Sequence, residues 1–181
     1  NLTFLTDNSF IWSSEKDGYN HLYHYDKSGK ELTQITKGNW EVTNYYGLNE
    51  KTKTIFYQSV ENGSINRDVY SISINGKNKK RLSSKTGTSS ATFSPNFDFY
   101  INTFSNSKTP TIYTLNEAKS GKEIQVIREN TTLSTRLEKY NLPNKEFFEL
   151  QTDGGQKLNA WMIKPKNFDA SKKYPVLMFQ Y

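Results

Sequence analysis

Val69-Tyr70-Ser71-Ile72, followed by Asn75-Gly76-Lys77, is the most informative segment of this 181-residue chain. Its mixture of aromatic, β-branched and polar side chains is typical of a β-strand on a half-buried sheet. Asn-Gly provides the positive φ angles that a tight hairpin turn requires. The segment therefore predicts a strand that turns back into the next strand of an antiparallel sheet.

This pattern occurs three times along the chain. The other copies are Leu22-Tyr23-His24-Tyr25 and Ile112-Tyr113-Thr114-Leu115, so the period is about 45 residues. Each copy is followed by a turn that ends in Gly-Lys, at residues 29–30, 76–77 and 121–122. Each is also preceded by a strand-like run, at Phe10–Trp12, Ile55–Tyr57 and Phe99–Ile101. The repeat predicts that the three tyrosines lie at equivalent places in three similar β units.

Each unit consists of about four short strands. A further strand-like run precedes the second and third copies, at Val42–Leu48 and Ser89–Phe93. Four strands in roughly 40–50 residues is the size of a β-propeller blade. A β-sandwich also has regularly spaced strands, but the recurrence of tyrosine and Gly-Lys favours the propeller. We therefore predict a mainly β fold in which residues 1–130 form about three four-stranded blades of a partial β-propeller.

An arc of this kind is incomplete, because a closed propeller has roughly 4–8 blades. Three blades leave unpaired strand edges and half of a core exposed to water. The pattern thus predicts that the chain is a piece of a longer protein.

The character of the sequence changes after Arg128. Leu133, Leu137 and Tyr140 have a helix-like spacing, and Pro143 interrupts the chain, so residues 131–145 are predicted to be a linker with a short helical turn. Residues 146–181 then form a second β unit. Its two strands, 146–150 and 157–163, flank a turn at Asp153-Gly154-Gly155, and Leu158, Ala160 and Met162 share one face of the second.

Val176-Leu177-Met178-Phe179 is a continuous apolar run after Pro175. Such a run suits a strand that is covered on both faces, as in an α/β sheet. Residues 146–181 therefore predict the first strands of an α/β-hydrolase domain. The alternative is one more hairpin on the β body.

Composition excludes several kinds of chemistry. The chain has no cysteine, which excludes disulfides, thiolate metal sites and cysteine nucleophiles. His21 and His24 are the only histidines, and residues i and i+3 of a strand face opposite sides, so they cannot hold one metal together. The sequence predicts no metal and no cofactor.

Positive charge is the main argument for a nucleic-acid partner, since the net charge is +6. The densest basic cluster flanks the Asn75-Gly76 turn and consists of Lys77, Lys79, Lys80, Arg81 and Lys85. A solvated hairpin end explains this cluster, so no nucleic-acid partner is predicted. No apolar run approaches the roughly 20 residues that span a bilayer, and no signal peptide opens the chain.

Two further segments resemble a known family. Gly18-Tyr19-Asn20-His21, with Ile35-Thr36-Lys37-Gly38-Asn39-Trp40-Glu41-Val42, is similar to the late blades of the dipeptidyl peptidase IV family, a branch of the prolyl oligopeptidase serine peptidases. Residues 157–181 resemble the entry into that family's α/β-hydrolase domain. The lack of cysteine makes the bacterial members the closer match.

The resemblance implies a serine exopeptidase that releases N-terminal dipeptides with Pro or Ala in second position. Its substrate would be a peptide with a free N-terminus. An eight-bladed propeller would cap the hydrolase domain, and the enzyme would be a periplasmic or cell-surface homodimer. The competing hypothesis is a stand-alone propeller-like module that binds a protein or glycan.

The resemblance assigns a role to one residue, Tyr181. In the family, a tyrosine after the Lys172-Lys173-Tyr174-Pro175 segment donates its hydroxyl to the oxyanion hole, and Tyr181 has that position here. The sequence contains no Gly-x-Ser-x-Gly motif and no Asp or His that completes a triad. The family's substrate-binding glutamates match none of the residues here. The chain alone is therefore expected to be inactive.

Overall fold

The computed structural model describes residues 1–179. The chain divides into two compact units, Asn1–Ser134 and Thr135–Tyr181. Twelve of the strands lie in the first unit. They form three antiparallel sheets, which we call the first, second and third blades.

Each blade has four strands. The first contains β1 (Leu2–Phe4), β2 (Phe10–Ser14), β3 (His21–Tyr25) and β4 (Glu31–Gln34). The second contains β5 (Val42–Asn49), β6 (Thr54–Ser59), β7 (Asp68–Ser73) and β8 (Lys80–Arg81). The third contains β9 (Thr88–Phe93), β10 (Phe99–Ser105), β11 (Ile112–Glu117) and β12 (Glu123–Arg128).

Every blade is a simple meander, in which each strand pairs with the next along the chain. No strand is exchanged between these sheets, which excludes the sandwich topology. The predicted mainly β fold with three four-stranded blades is thus confirmed. The sequence did not predict β1 or β8, because strands of three and two residues are too short to show a periodic pattern.

Apolar side chains fill the space between the first and second blades. Ile11 and Leu22 of the first blade are buried in one cluster with Ile55, Tyr57 and Ile72 of the second. Ile55 pairs with Ile72 across β6 and β7, so both side chains lie on the same face of the sheet. The two blades therefore pack face to face.

The second and third blades also share a core, which Phe56, Val69 and Tyr100 dominate. Phe56 stacks on Phe97 at 5.3 Å between ring centroids. Gly47 makes room for this arrangement, because a Cβ atom there would lie 2.5 Å from Cζ of Phe97. Three consecutive sheets packed face to face form an arc of a propeller.

The tyrosines of the repeat are not all equivalent. Tyr23 and Tyr70 are buried, and each lies on the face that points back along the arc. Tyr113 is also in the third strand of its blade, but it is 37% exposed and lies on the opposite face from the buried Thr114. The predicted equivalence is therefore wrong for Tyr113. A shift of one residue reverses the face of a strand, and the approximate period could not reveal it.

The two outer faces of the arc are apolar and exposed. In the first blade, Phe4 and Trp12 are 69% and 50% exposed. In the third blade, Phe99 and Ile101 are 46% and 39% exposed. Each face has the side-chain character of a core with no second sheet against it.

The remaining elements are α1 (Thr131–Tyr140), β13 (Lys145–Gln151) and β14 (Lys157–Ile163). β13 and β14 form an antiparallel hairpin in which Phe148 pairs with Ala160 and Leu150 with Leu158. The predicted set Leu158, Ala160 and Met162 lies on one face of β14, while Phe147, Trp161 and Ile163 lie on the other face of the hairpin.

The apolar run after Pro175 differs from its prediction. Val176–Phe179 is not a strand, and Leu177 is 98% exposed. A strand covered on both faces needs neighbouring strands to pair with. In the part of the chain that the structure describes, none pairs with this run, so the expected buried strand is absent there.

Candidate functional site

A groove of about 490 Å³ lies where the connections of the first and second blades meet. It is bordered by the link from β4 to β5, the link from β6 to β7 and the turn after β2. Its lining includes Tyr19, Trp40, Glu41, Glu61 and Arg67. Two aromatic rings and three charged groups therefore face one cavity.

Trp40 is fixed by rings on two sides. The ring of His21 meets it edge-on at 4.9 Å between centroids, and Tyr57 stacks on it at 6.4 Å with 9° between the planes. Gly38 precedes this wall with a φ of 140°, and a Cβ atom there would lie 2.7 Å from Cδ1 of Trp40. A glycine at this position is therefore part of how the wall is built.

His21 holds the same connection by hydrogen bonds. Its Nε2 lies 2.9 Å from the carbonyl oxygen of Gly38, and its Nδ1 lies 3.0 Å from Oγ1 of Thr36. A carbonyl oxygen only accepts, so Nε2 carries a hydrogen and donates it to Gly38. His21 is completely buried and satisfied within the protein, which gives it a structural role.

Glu61 is one of the two glutamates that line the groove. One of its oxygens, Oε1, accepts a hydrogen bond from the ammonium of Lys79. The same ammonium lies 5.5 Å from the centroid of the Trp40 ring. The second oxygen, Oε2, is buried and has no partner among residues 1–179.

Behind Glu61 lies a buried polar cluster on one face of the second blade. Asp68 is 1% exposed and accepts from Ser83 Oγ at 2.6 Å and from Arg81 Nη2 at 2.8 Å. Ser59 pairs with Asp68 across β6 and β7 and is also fully buried. Oδ2 of Asp68 and Oγ of Ser59 have no partner in the described part of the chain.

This buried polar environment affects the pKa values of two neighbouring tyrosines, Tyr57 and Tyr70. Burial raises the pKa of Tyr70 to about 12, and the nearby carboxylates of Asp68 and Glu61 add to the shift. Burial also raises the pKa of Tyr57 strongly, again with a contribution from Glu61. Both phenols therefore stay neutral at physiological pH and can act as hydrogen-bond donors.

The first blade contains a Ser–His contact that is not a nucleophile–base pair. His24 Nε2 lies 2.9 Å from Oγ of Ser9, and the same hydroxyl contacts the carboxylate of Asp7. A carboxylate only accepts, so the hydroxyl hydrogen points to Asp7 and His24 donates to Ser9. Burial lowers the pKa of His24. This histidine is not placed to remove the proton of Ser9.

The structure places the residues predicted from the sequence in different surroundings. Tyr181 lies outside the described residues. His21 and His24 point to different partners, as their spacing predicts, and residues 1–179 contain no cluster of metal-ligating side chains. Two members of the basic cluster, Lys79 and Arg81, are paired with carboxylates. None of the described helices is long and apolar enough to cross a bilayer.

Sequence reasoning did not identify the groove. In the sequence, Trp40 and Glu41 belong to a segment that indicates only the family, and Glu61 belongs to no motif. The groove residues come from different connections, about 20 residues apart in the chain. No local motif could therefore have indicated that they share a cavity.

Three four-stranded meanders packed face to face, with a groove between their connections, define a β-propeller protein. Residues 1–111 match the family model for the dipeptidyl peptidase IV (DPP IV) N-terminal region, and the chain belongs to that family. This confirms the resemblance and does not favour a stand-alone binding module.

Similar proteins support the same assignment. The chain is 34% identical over 179 residues to a probable dipeptidyl peptidase 4 of Aspergillus flavus, covering 97% of this chain and 23% of that protein. It is 35% identical over 176 residues to dipeptidyl peptidase 4 of Arthroderma otae, covering 95% of this chain and 22% of that one. The chain thus spans about a quarter of the length of the curated relatives that it matches.

Solved structures agree with the fold. The crystal structure of Porphyromonas gingivalis dipeptidyl peptidase 4 is 42% identical, with a TM-score of 0.90 over 96% of this chain and 24% of that one. A structure from Bacteroides ovatus is 27% identical, with a TM-score of 0.80 over 96% of this chain and 27% of that one.

Proposed function

We propose that this chain is part of a serine exopeptidase that removes N-terminal dipeptides, with Pro or Ala in second position, from peptides with a free N-terminus. The observation that carries the proposal is the match of 96% of the chain to a dipeptidyl peptidase 4 structure at a TM-score of 0.90. The activity is that of the dipeptidyl peptidase 4 relatives, and the preference for Pro or Ala comes from the family resemblance.

In this proposal the two ends of the chain belong to different domains. Residues 1–130 are the C-terminal blades of the propeller, and residues 131–145 are the linker. Residues 146–181 are the first strands of the α/β-hydrolase domain, beginning with the β13–β14 hairpin. Limited proteolysis of two expressed chains tests this division. Residues 1–181 contain the linker and residues 1–130 do not, so cleavage that concentrates in the linker is expected only in the longer chain.

Tyr181 is the residue of this chain to which the proposal gives a catalytic role. Attack of a serine on the scissile carbonyl places negative charge on its oxygen. A phenol O–H that points at this oxygen stabilises the charge as it develops, while the proton remains on the tyrosine. The nucleophile and its Asp and His partners would come from elsewhere in the full-length protein.

The test compares two tyrosine variants of the full-length enzyme. Tyr181→Phe is expected to lower kcat by about 10²–10³ with little change in KM, because the donor acts mainly in the transition state. Tyr174→Phe is the matched control, since its hydroxyl accepts from the backbone of Asp169 within a loop. An unchanged kcat in Tyr181→Phe would refute the catalytic role.

The isolated 181-residue chain is expected to show no turnover of a Gly-Pro chromogenic substrate. The reason is that its sequence lacks the nucleophile motif. Measurable turnover that survives repeated purification would contradict this.

The proposal also makes the full-length protein a homodimer of the periplasm or cell surface. Its support is the family resemblance. Sedimentation of the full-length protein tests the dimer, and cell fractionation tests the location.

A further inference from the structure

The chain contains two Asn-Gly dipeptides, Asn62-Gly63 and Asn75-Gly76. Each lies in a turn that is closed in the same way, by a hydrogen bond from the glycine N–H to a carbonyl oxygen three residues earlier. The distance is 3.0 Å from Gly63 to Val60 and 2.8 Å from Gly76 to Ser73. Glycine has no side chain that would shield its backbone nitrogen from the amide of the preceding asparagine. The two dipeptides therefore have the same local chemistry, and their surroundings decide which of them reacts.

The surroundings of Asn75 restrain it. Its side-chain oxygen, Oδ1, accepts the backbone N–H of Lys77 at 3.0 Å. A Cβ atom at Gly76 would lie 3.2 Å from the carbonyl oxygen of Ile35, so this turn packs against the segment that follows β4. Rotation of the Asn75 side chain toward its own backbone must break the first contact, and the second contact limits movement of the turn.

Asn62 has no such restraint. It is exposed, and its side-chain amide has no hydrogen-bond partner among residues 1–179. Its backbone carbonyl oxygen accepts from Nδ2 of Asn66 at 3.1 Å, in an exposed contact. Within 4 Å, a Cβ atom at Gly63 would meet only that same flexible side chain, at 3.4 Å. Segments with few contacts and exposed hydrogen bonds open locally at low free energy, so the turn at Asn62 opens more readily than the turn at Asn75.

We propose that Asn62 is a site of spontaneous deamidation in the folded protein. The backbone nitrogen of Gly63 gives up its proton to solvent base and attacks Cγ of Asn62, which forms a new N–C bond and closes a succinimide ring. Nδ2 takes up a proton and leaves as ammonia. Water then adds to either ring carbonyl and opens the ring, which gives aspartate or isoaspartate. The reaction consumes water, releases ammonia and changes no oxidation state.

This reaction changes the border of the groove. Glu61 and Gly63, on either side of Asn62, both line it. The product carries a carboxylate where the protein has a neutral amide, so the negative charge beside Glu61 increases. In isoaspartate the main chain also runs through the former side chain, which lengthens the connection between β6 and β7. Ageing of the protein therefore alters both the charge and the shape of this border.

The experiment incubates the full-length protein in mildly alkaline buffer that is prepared with heavy-oxygen water. Peptide mapping by mass spectrometry then measures each Asn-Gly site, independently of any peptidase activity. Asn62 is expected to react about threefold to tenfold faster than Asn75, which is the range that one additional hydrogen bond contributes. The product is expected to carry heavy oxygen from the solvent and to include isoaspartate, since both follow from the succinimide. Equal or faster reaction of Asn75 would overturn the proposal.

Denaturation in urea provides the matched control. In the unfolded chain neither turn exists, so the two dipeptides are expected to react at similar rates. A ratio of rates that is the same in the folded and the unfolded protein would show that the structure does not select Asn62. Reaction of Asn62 in the unfolded chain alone would also contradict the proposal.

Two variants locate the reaction. Asn62→Gln is expected to abolish it at this position and to leave Asn75 unaffected, because glutamine must close a larger ring. Asn66→Ala removes the contact to the Asn62 carbonyl and is expected to accelerate the reaction at Asn62 about threefold. Unfolding temperatures check that both variants are folded. An unchanged or lower rate at Asn62 in folded Asn66→Ala would count against the assignment.

Discussion

The hydroxyl of Thr36, in the segment that follows β4, holds that segment against His21 and Leu22 of β3. Oγ1 of Thr36 lies 3.0 Å from Nδ1 of His21 and accepts the backbone N–H of Leu22 at 2.9 Å. His21 in turn contacts the carbonyl of Gly38, just before the wall of the groove. One buried hydrogen-bond network therefore connects the core of the blade to the connection that carries Trp40.

The second blade repeats this arrangement with other residues. Asp68 stands two residues before the repeat tyrosine, as His21 does, and accepts from Ser83 at 2.6 Å. Ser83 Oγ also accepts the backbone N–H of Val69 at 3.2 Å. In both blades a hydroxyl accepts a strand N–H and contacts a buried polar side chain. That side chain is His21 in the first blade and Asp68 in the second.

Removing the hydroxyl of Thr36 tests this network. Thr36→Val keeps the shape but leaves the Leu22 N–H and Nδ1 of His21 without a partner, so a loss of about 1–3 kcal/mol in local stability is expected. Hydrogen exchange of the Leu22 amide in the full-length protein measures it. Thr36→Ser retains the hydroxyl and is the control; equal effects of the two changes would contradict the assignment.

A side chain at Gly38 is expected to displace Trp40. Gly38→Ala combines a left-handed backbone with a clash against the Trp40 ring, which predicts a cost of about 1–3 kcal/mol. Gly18→Ala is the control, because its φ is also positive, at 99°, but no atom lies within 4 Å of the added Cβ. Thermal unfolding of both variants gives the comparison. A smaller loss of stability in Gly38→Ala than in Gly18→Ala would mean that the Trp40 ring moves aside at little cost.

The buried carboxylate of Asp68 depends on Arg81. Arg81→Met leaves this carboxylate without its cation, and a loss of about 3 kcal/mol is expected because Asp68 is only 1% exposed. Lys80→Met changes the exposed neighbour and serves as the control. Chemical denaturation measures both. A smaller loss of stability in Arg81→Met than in Lys80→Met would indicate that solvent reaches Asp68.

Buried tyrosines make the blades sensitive to alkali. Burial raises the pKa of Tyr100 to about 12, while an unfolded tyrosine titrates near 10. Above pH 10 the unfolded state therefore binds fewer protons than the folded state, and stability falls as the pH rises to about 12. Tyr100→Phe removes this contribution and is expected to shift alkaline unfolding to higher pH. An alkaline transition that is unchanged in Tyr100→Phe would contradict this prediction.

The apolar outer faces predict self-association of the isolated 181-residue chain. Phe4 and Ile101 lie on the two exposed faces of the arc, at 69% and 39% exposure. Sedimentation is expected to show oligomers that increase with concentration, because association buries these faces. Phe4→Glu with Ile101→Lys is expected to reduce them. A heat-resistant monomer at all concentrations would contradict this prediction.

Periodicity was sufficient to predict the three meanders. Each hairpin is specified locally, since an aromatic or β-branched strand is followed by a turn with glycine at a positive φ, such as Gly76 at 75°. Which face of the sheet a side chain occupies is harder to predict from the sequence. Tyr113 is the example, because a shift of one residue reverses its face and leaves the composition of the strand unchanged. The run Val176–Phe179 shows a related limit, since apolar character alone does not provide strands to pair with.

The amino-acid pattern by itself determined the blades, because hydrophobic alternation and turn chemistry act over a few neighbouring residues. Only the tertiary structure determined the groove, which brings Trp40 and Glu61 together from separate connections. It also showed that Oε2 of Glu61 is buried and has no hydrogen-bond partner among residues 1–179. Contacts between loops depend on how whole sheets pack, and that packing sums many weak interactions that no short segment encodes.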